Sequence, residues 1–276
     1  MTVAEAKNDK ALDLFAIRSV LFLPASNPRA IAKARESGAD LVVLDLEDAV
    51  KPEDKGVARK AALGAVATGW SMPVAIRVNG VGTEWHSLDL DCAANSNADL
   101  VVVPRASSAH LVSDLGETVN RPVLAMIETA AGVLSAPEIA RSCAGLIAGT
   151  NDLRSDLRLP LYSGREPIAT SLQLIVLAAR AAGVPVFDGV FNNLEDINAF
   201  TQEAEEGRAL GFDGKSLIHP NQIAACHRAF SPSPEELARA RKLVAAFQGG
   251  AERLGNEMIE RMHVEAAQRI LDRARI

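Results

Sequence analysis

Apolar residues along this chain fall into short β-branched runs that alternate with longer stretches of helical period. The runs are Val20 to Leu23, Leu41 to Asp45, Val74 to Val78, Leu100 to Val103, Val123 to Ile127, Leu146 to Ala148, Val184 to Phe187 and Lys215 to Ile218. They recur about every 25 to 35 residues, the length of one strand-plus-helix unit. About eight such units close a parallel barrel, so the spacing predicts an α/β fold, a (β/α)8 TIM barrel, over residues 17–232. A doubly wound open sheet is the rival, but it normally carries a phosphate-binding glycine turn after its first strand, and none follows Val20 to Leu23. Helices are expected over Pro28 to Glu36 and Pro52 to Thr68, each with proline near its first position.

Residues 1–16 are mixed and charged, with neither the basic start nor the apolar core of a signal peptide, and read as a flexible arm. Beyond the last repeat, residues 233–276 form a helical extension. It comprises an amphipathic helix over Pro234 to Gln248, a Gly249-Gly250 hinge, and a second helix over Asn256 to Arg275. The second has Met258, Ile259, Met262, Ala266, Ile270 and Leu271 at helical spacing, an apolar face that must dock somewhere. It could pack on its own barrel or close as a lid over a neighbour's site.

Charged residues collect where the runs end. Glu128 follows the fifth run and Asp152 follows the sixth, each leading into a helix, among small residues that leave room for a ligand. Carboxylates at the ends of adjacent parallel strands converge on one rim, which outlines a Mg²⁺ site. Each would serve equally well as a helix cap or first-turn acid. The second run ends in LDLEDAV, crowding Asp45, Glu47 and Asp48 where they repel unless a cation sits nearby, or where they simply cap a turn. Arg77, ending the third run, suits a two-pronged clamp on a substrate carboxylate, or an ion pair with Glu47 or Asp48. Arg105 adds a second cation at the end of the fourth. His219 and Asp188 read as caps, and no nucleophile constellation is legible.

Composition narrows the field. The 276 residues carry a net charge of -6 and are 48% hydrophobic but only 4% aromatic, which fits a parallel sheet sheathed in helices. No apolar run approaches ~20 residues, so no membrane partner is expected. Without a basic face, nucleic acid is not expected either. Cys92, Cys143 and Cys226 are far apart and read as reduced residues of a cytoplasmic protein.

Several segments resemble one known family nearly end to end: RSVLFLPASNP, GADLVVLDLEDAV, AIRVNGVGTEW, AMIETAAGVL, GLIAGTNDLRSDL and, above all, FDGVFNNLEDINAFTQEAEEGRALGFDGKSLIHPNQI. The chain resembles the citrate lyase β subunit and the malyl-CoA and citramalyl-CoA lyases of the HpcH/HpaI aldolase superfamily. The resemblance implies a metal-dependent barrel in which Glu128 and Asp152 ligate Mg²⁺, Glu47 and Asp48 stand behind the metal as acids, and Arg77 grips the keto-acid end of the substrate. It further implies a homo-oligomer, a trimer or dimer of trimers, in which a C-terminal lid brings a catalytic acid to the neighbouring subunit.

Three departures accompany the resemblance. Where the family has Lys and then Glu in the stretch VVPRASSAH, Arg105 keeps a charge, available for substrate, and Ser107 loses one. Ala131 stands where Arg or Leu is common. The lid motif, with its catalytic Asp, is altered across Gly255 to Met262, leaving Glu260 as the replacement acid.

The function so implied is Mg²⁺-dependent carbon–carbon cleavage of a β-hydroxyacyl-CoA of malyl, citramalyl or citryl type into a thioester and a 2-keto acid. Thioesterase action on the same thioesters is a side activity to expect. The alternatives are an aldolase acting on free keto acids and a non-catalytic accessory subunit that keeps the barrel.

Overall fold

The computed structural model describes residues 12–161 and 163–274. Residues 1–11 of the expected arm lie outside them. Within the rest of the arm, Leu14–Ala16 forms a 3-10 turn capped by Asp13, and Leu14 packs against the cluster inside the barrel.

Eight parallel strands close in chain order: β1 (Ser19–Pro24), β2 (Leu41–Asp45), β3 (Val74–Arg77), β4 (Leu100–Val103), β5 (Val123–Ile127), β6 (Gly145–Ala148), β7 (Val186–Asp188) and β8 (Gly214–Leu217). The ring shuts where Val20 of β1 pairs with Ser216 of β8. Side chains alternate between two apolar layers. Val20, Phe22, Leu41, Leu124 and Phe187 fill the interior, while Leu21, Leu44, Ile76 and Ile127 pack outward under the helices. Burial on both faces explains why the runs read as continuously apolar rather than alternating. The seventh strand begins two residues later than its run suggests, since Pro185 has no N–H to give to the ladder, though its carbonyl accepts from Leu146 N–H at 3.0 Å.

Two outward positions, Asp188 on β7 and Lys215 on β8, are charged. Lys215, wholly buried, donates to Asp188 at 3.0 Å and to Glu203 at 2.8 Å, and Arg165 reaches Asp188 at 3.1 Å. Asp188 therefore belongs to a buried ion cluster between barrel and helices, a correction to its reading as a cap. Burial opposes its ionisation, but Lys215 and Arg165 hold its carboxyl below the ordinary value.

The C-terminal region departs from the expected pair of helices. After the helix Pro234–Ala246, residues 252–259 form a hairpin of β9 (Glu252–Leu254) and β10 (Glu257–Ile259), and the last helix runs only over Arg261–Arg273. Gly255, at φ 64°, makes the turn, so Asn256 to Ile259 cannot be helical. Ile259 and Ala267 are buried, whereas Met258 and Met262 stay exposed. Arg273 donates to the carbonyls of Phe230, at 3.0 Å, and Asp213, which anchors this helix to its own barrel just before β8 begins. Among the described residues, no helix is long and apolar enough to cross a membrane.

Candidate active site

Glu128 leaves β5 one residue before Thr129, and it is Thr129 that caps the helix Ala130–Ala140, accepting from Gly132 N–H at 3.0 Å. Glu128 is thereby free of the capping role that was its alternative. Only 2% exposed, it accepts the Arg105 backbone N–H at 2.6 Å through one oxygen. Arg105 takes a left-handed φ of 49° to aim that N–H, a conformation with a cost for a residue bearing a Cβ. A side chain at Gly149 would run into the Glu128 carboxyl, so glycine there makes its room. Asp152 lies in the first turn of the helix Thr150–Asp156, whose N-cap Gly149 makes no side-chain bond. Glu128 and Asp152 line one cavity of about 420 Å³ at the carboxyl ends of the strands.

Across that cavity, Asp45 and Arg77 end neighbouring strands in register. Arg77 Nε and Nη2 donate to the two oxygens of Asp45, each at 2.6 Å. Asp45 also accepts the N–H groups of Glu47 and Ala49, which folds the LDLEDAV turn around it. The two-pronged face that a substrate carboxylate was expected to meet is engaged by Asp45 in this structure, and Nη1 donates to Met126 Sδ at 3.7 Å. The alternative ion pair is seen with Glu47, 3.0 Å from Nη1, and not with Asp48. That contact is close but poorly aligned, so Glu47 Oε2 is buried without a hydrogen-bond donor. Asp48 is exposed and lines the cavity.

The electrostatics follow from this crowding. Burial, with the charge of Asp152, pushes Glu128 up to about 7. Burial pushes Glu47 up to about 8, with Arg77 opposing and Asp48 and Glu128 adding. Asp152 is raised by burial and by Asp48. Burial works against the charge of Arg77, yet Asp45 and Glu47 keep it firmly protonated. Carboxylates held together at such cost are poised to bind a cation.

The remaining candidates divide. The Arg105 guanidinium is half exposed and 3.7 Å from Asp152, so its backbone rather than its side chain reaches the buried part of the site. Glu260 is exposed and stands at the N-cap position of the helix Arg261–Arg273, where its backbone N–H donates to His263 Nδ1 at 3.0 Å, and it does not line this chain's cavity. His219 caps the turn Pro220–Gln222, as expected, by accepting from Asn221 N–H. Sequence reasoning passed over the part played by Asp45, although its position at a strand end opposite an arginine was a usable signal. It also missed Asn151 and Asn192, whose side-chain amides bond each other at 2.8 and 3.2 Å at the cavity wall, and Ser216 on β8. Nothing in their local pattern marks them.

The donor set suits magnesium. Among the described residues no three acid, histidine or cysteine side chains form a closed metal cage. Mg²⁺ ordinarily takes one or two carboxylates and completes its octahedron with water and substrate oxygens. Glu128 and Asp152, which line one cavity, are the carboxylates that could hold such an ion.

Comparison with known proteins identifies the family. The chain is 40% identical over 270 residues to a (3S)-malyl-CoA thioesterase of Cereibacter sphaeroides, covering 93% of this chain and 94% of that one. It is 32% identical over 286 residues to the citrate lyase subunit beta of Escherichia coli, covering 94% and 93% respectively. The Mycobacterium tuberculosis protein CitE, solved in complex with magnesium, acetoacetate and coenzyme A, superposes with a TM-score of 0.85 at 33% identity, over 95% of this chain and all of that one. A family model described as HpcH/HpaI aldolase/citrate lyase matches residues 18–220, the barrel with its rim, and the chain belongs to that family.

Proposed function

We propose that this protein is a Mg²⁺-dependent carbon–carbon lyase that splits a β-hydroxyacyl-CoA of malyl, citramalyl or citryl type into an acyl thioester and a 2-keto acid. The observation that carries the reading is the pairing, in one cavity, of two convergent carboxylates, Glu128 and Asp152, with an arginine fixed on the opposite wall. Magnesium held there would polarise the substrate's hydroxyl oxygen, which becomes the keto oxygen of the product. Asp45 fixes the Arg77 guanidinium, so that its cavity-facing edge can meet a substrate carboxylate without reorganising. Glu47, paired with Arg77, would relay a proton to or from the reacting hydroxyl through water, while Asp48 accepts hydrogen bonds at the cavity mouth. Arg105 adds positive charge at the rim for the carboxylate or phosphate groups of the incoming substrate.

The nearby thioesterase relative supports a second reading, hydrolysis of the same thioesters, and the exposed side of Asp152 leaves room for water. We place the protein in the cytoplasm, in keeping with its three free cysteines, as a homo-oligomer built from trimers. The extension over 233–276 serves there as the unit that meets a neighbouring copy. Since Glu260 does not line the cavity of its own chain, a catalytic part for it requires that neighbour.

Incubating the protein with Mg²⁺ and malyl-CoA or citramalyl-CoA, and following keto acid, acetyl-CoA and free CoA, separates the readings. A lyase releases keto acid and acetyl-CoA in equal amounts. A thioesterase releases free CoA without keto acid. No turnover of any CoA thioester would leave the aldolase on free keto acids or the accessory subunit.

A further inference from the structure

Ser216 lies on β8 in register with Val20, whose side chain belongs to the cluster inside the barrel, so the serine points inward as well. It is 2% exposed, lines the cavity, and its hydroxyl has no hydrogen-bond partner among the described residues. A buried hydroxyl left unpaired is costly and rarely kept without a reason. Its backbone neighbours do not share the burden: Lys215 and Leu217 face the helix shell, one in the ion cluster and the other in the outer apolar layer.

The chemistry of the missing partner follows from the cavity's asymmetry. Its charged residues, Asp45, Asp48, Arg77, Glu128 and Asp152, stem from β2, β3, β5 and β6 and the turns that follow them. The wall formed by β8 and the segment after β7 contributes Ser216, Ile218, Val190 and Asn192, none of them charged. A carboxylate against that wall would be short of donors, whereas an uncharged carbonyl needs only one. We propose that the Ser216 hydroxyl donates its hydrogen bond to the thioester carbonyl of the bound acyl-CoA, making it a substrate-binding and specificity residue on the uncharged wall of the cavity. This rests on the acyl-CoA reading above.

The test compares two ligands by calorimetry with Mg²⁺ present: acetyl-dethia-CoA, which keeps the carbonyl and cannot be hydrolysed, and S-ethyl-CoA, which lacks it. Wild-type protein should prefer the first, and Ser216→Ala should lose about three- to ten-fold of that preference, the size of one neutral hydrogen bond. Affinity for S-ethyl-CoA should not change. Ser216→Ala should also melt at or above the wild-type temperature, since it removes no bond within the protein. An unchanged preference in Ser216→Ala, or a melting point lower by several degrees, would overturn the assignment and leave the acyl-CoA reading standing. If the wild-type protein binds neither ligand, the acyl-CoA reading falls, and this assignment with it.

Discussion

Asp45 and Arg77 are register partners on adjacent strands, joined by two hydrogen bonds of 2.6 Å each, so the cation of the site is held by the protein before any substrate arrives. A lysine cannot reproduce that fork. Arg77→Lys should therefore weaken substrate binding by roughly 1 to 3 kcal/mol, the range for a hydrogen bond to a charged group, as read from KM. Asp45→Asn should destabilise the fold by up to about 3 to 5 kcal/mol in urea unfolding, because it strands a buried charge. Unchanged kinetics in Arg77→Lys would leave Arg77 a purely structural part.

Glu128→Gln and Asp152→Asn should each lower Mg²⁺ affinity and abolish turnover, since each removes one of the two charged oxygen donors in the cavity. Mg²⁺ titration by calorimetry checks the first effect independently of the second. Near-normal metal-dependent activity in either variant would refute the ligand assignment.

A methyl group at position 149 has nowhere to go but into the Glu128 carboxyl. Gly149→Ala should cost about 1 to 3 kcal/mol of stability, as overpacked sites do, and should weaken Mg²⁺ binding as well by displacing the ligand. Gly164, where an added Cβ meets nothing within 4 Å, is the control position. If Gly149→Ala binds Mg²⁺ normally, Glu128 is not held as described.

Without metal, Glu128 and Glu47 keep protons up to about 7 and about 8, against an ordinary glutamate near 4.5. Between those values the folded protein binds more protons than the unfolded chain. This contribution to stability is fully present below about pH 4.5 and is lost as pH rises through 7 to 8. Melting curves of metal-free protein should reveal that loss, and Mg²⁺ should stabilise more at pH 8 than at pH 5.5, because it binds the ionised carboxylates. A stabilisation by Mg²⁺ that does not grow with pH would contradict it.

Glu260 offers a test of shared sites. Mixing a Glu128→Gln protein with a Glu260→Gln protein should restore part of the activity if each active site draws Glu260 from another copy. No recovery after verified subunit exchange would assign Glu260 only its observed place at the N-cap position of the last helix.

The chain's own pattern was enough for the barrel, because each strand is buried on both faces and each is closed off by the polar start of a helix, so the repeat is written in the order of residues. Glu128 and Asp152 were legible for the same reason: strand ends in a parallel barrel share one rim whatever the loops do. The tail was not. Its apolar spacing over Met258 to Leu271 suits a helix, and only the left-handed turn at Gly255 and the pairing of β9 with β10 decided for a hairpin. Nor could local sequence say that Arg77 would spend its fork on Asp45, that Thr129 would release Glu128 from capping, or that Asp188 would pair with Lys215 instead of ending a turn. Periodicity and turn chemistry act between neighbours along the chain and are carried by the sequence itself. The choice of partner for a buried charge is made across the barrel, where burial strengthens every interaction and competing groups from distant segments meet, and that choice exists only in the folded protein.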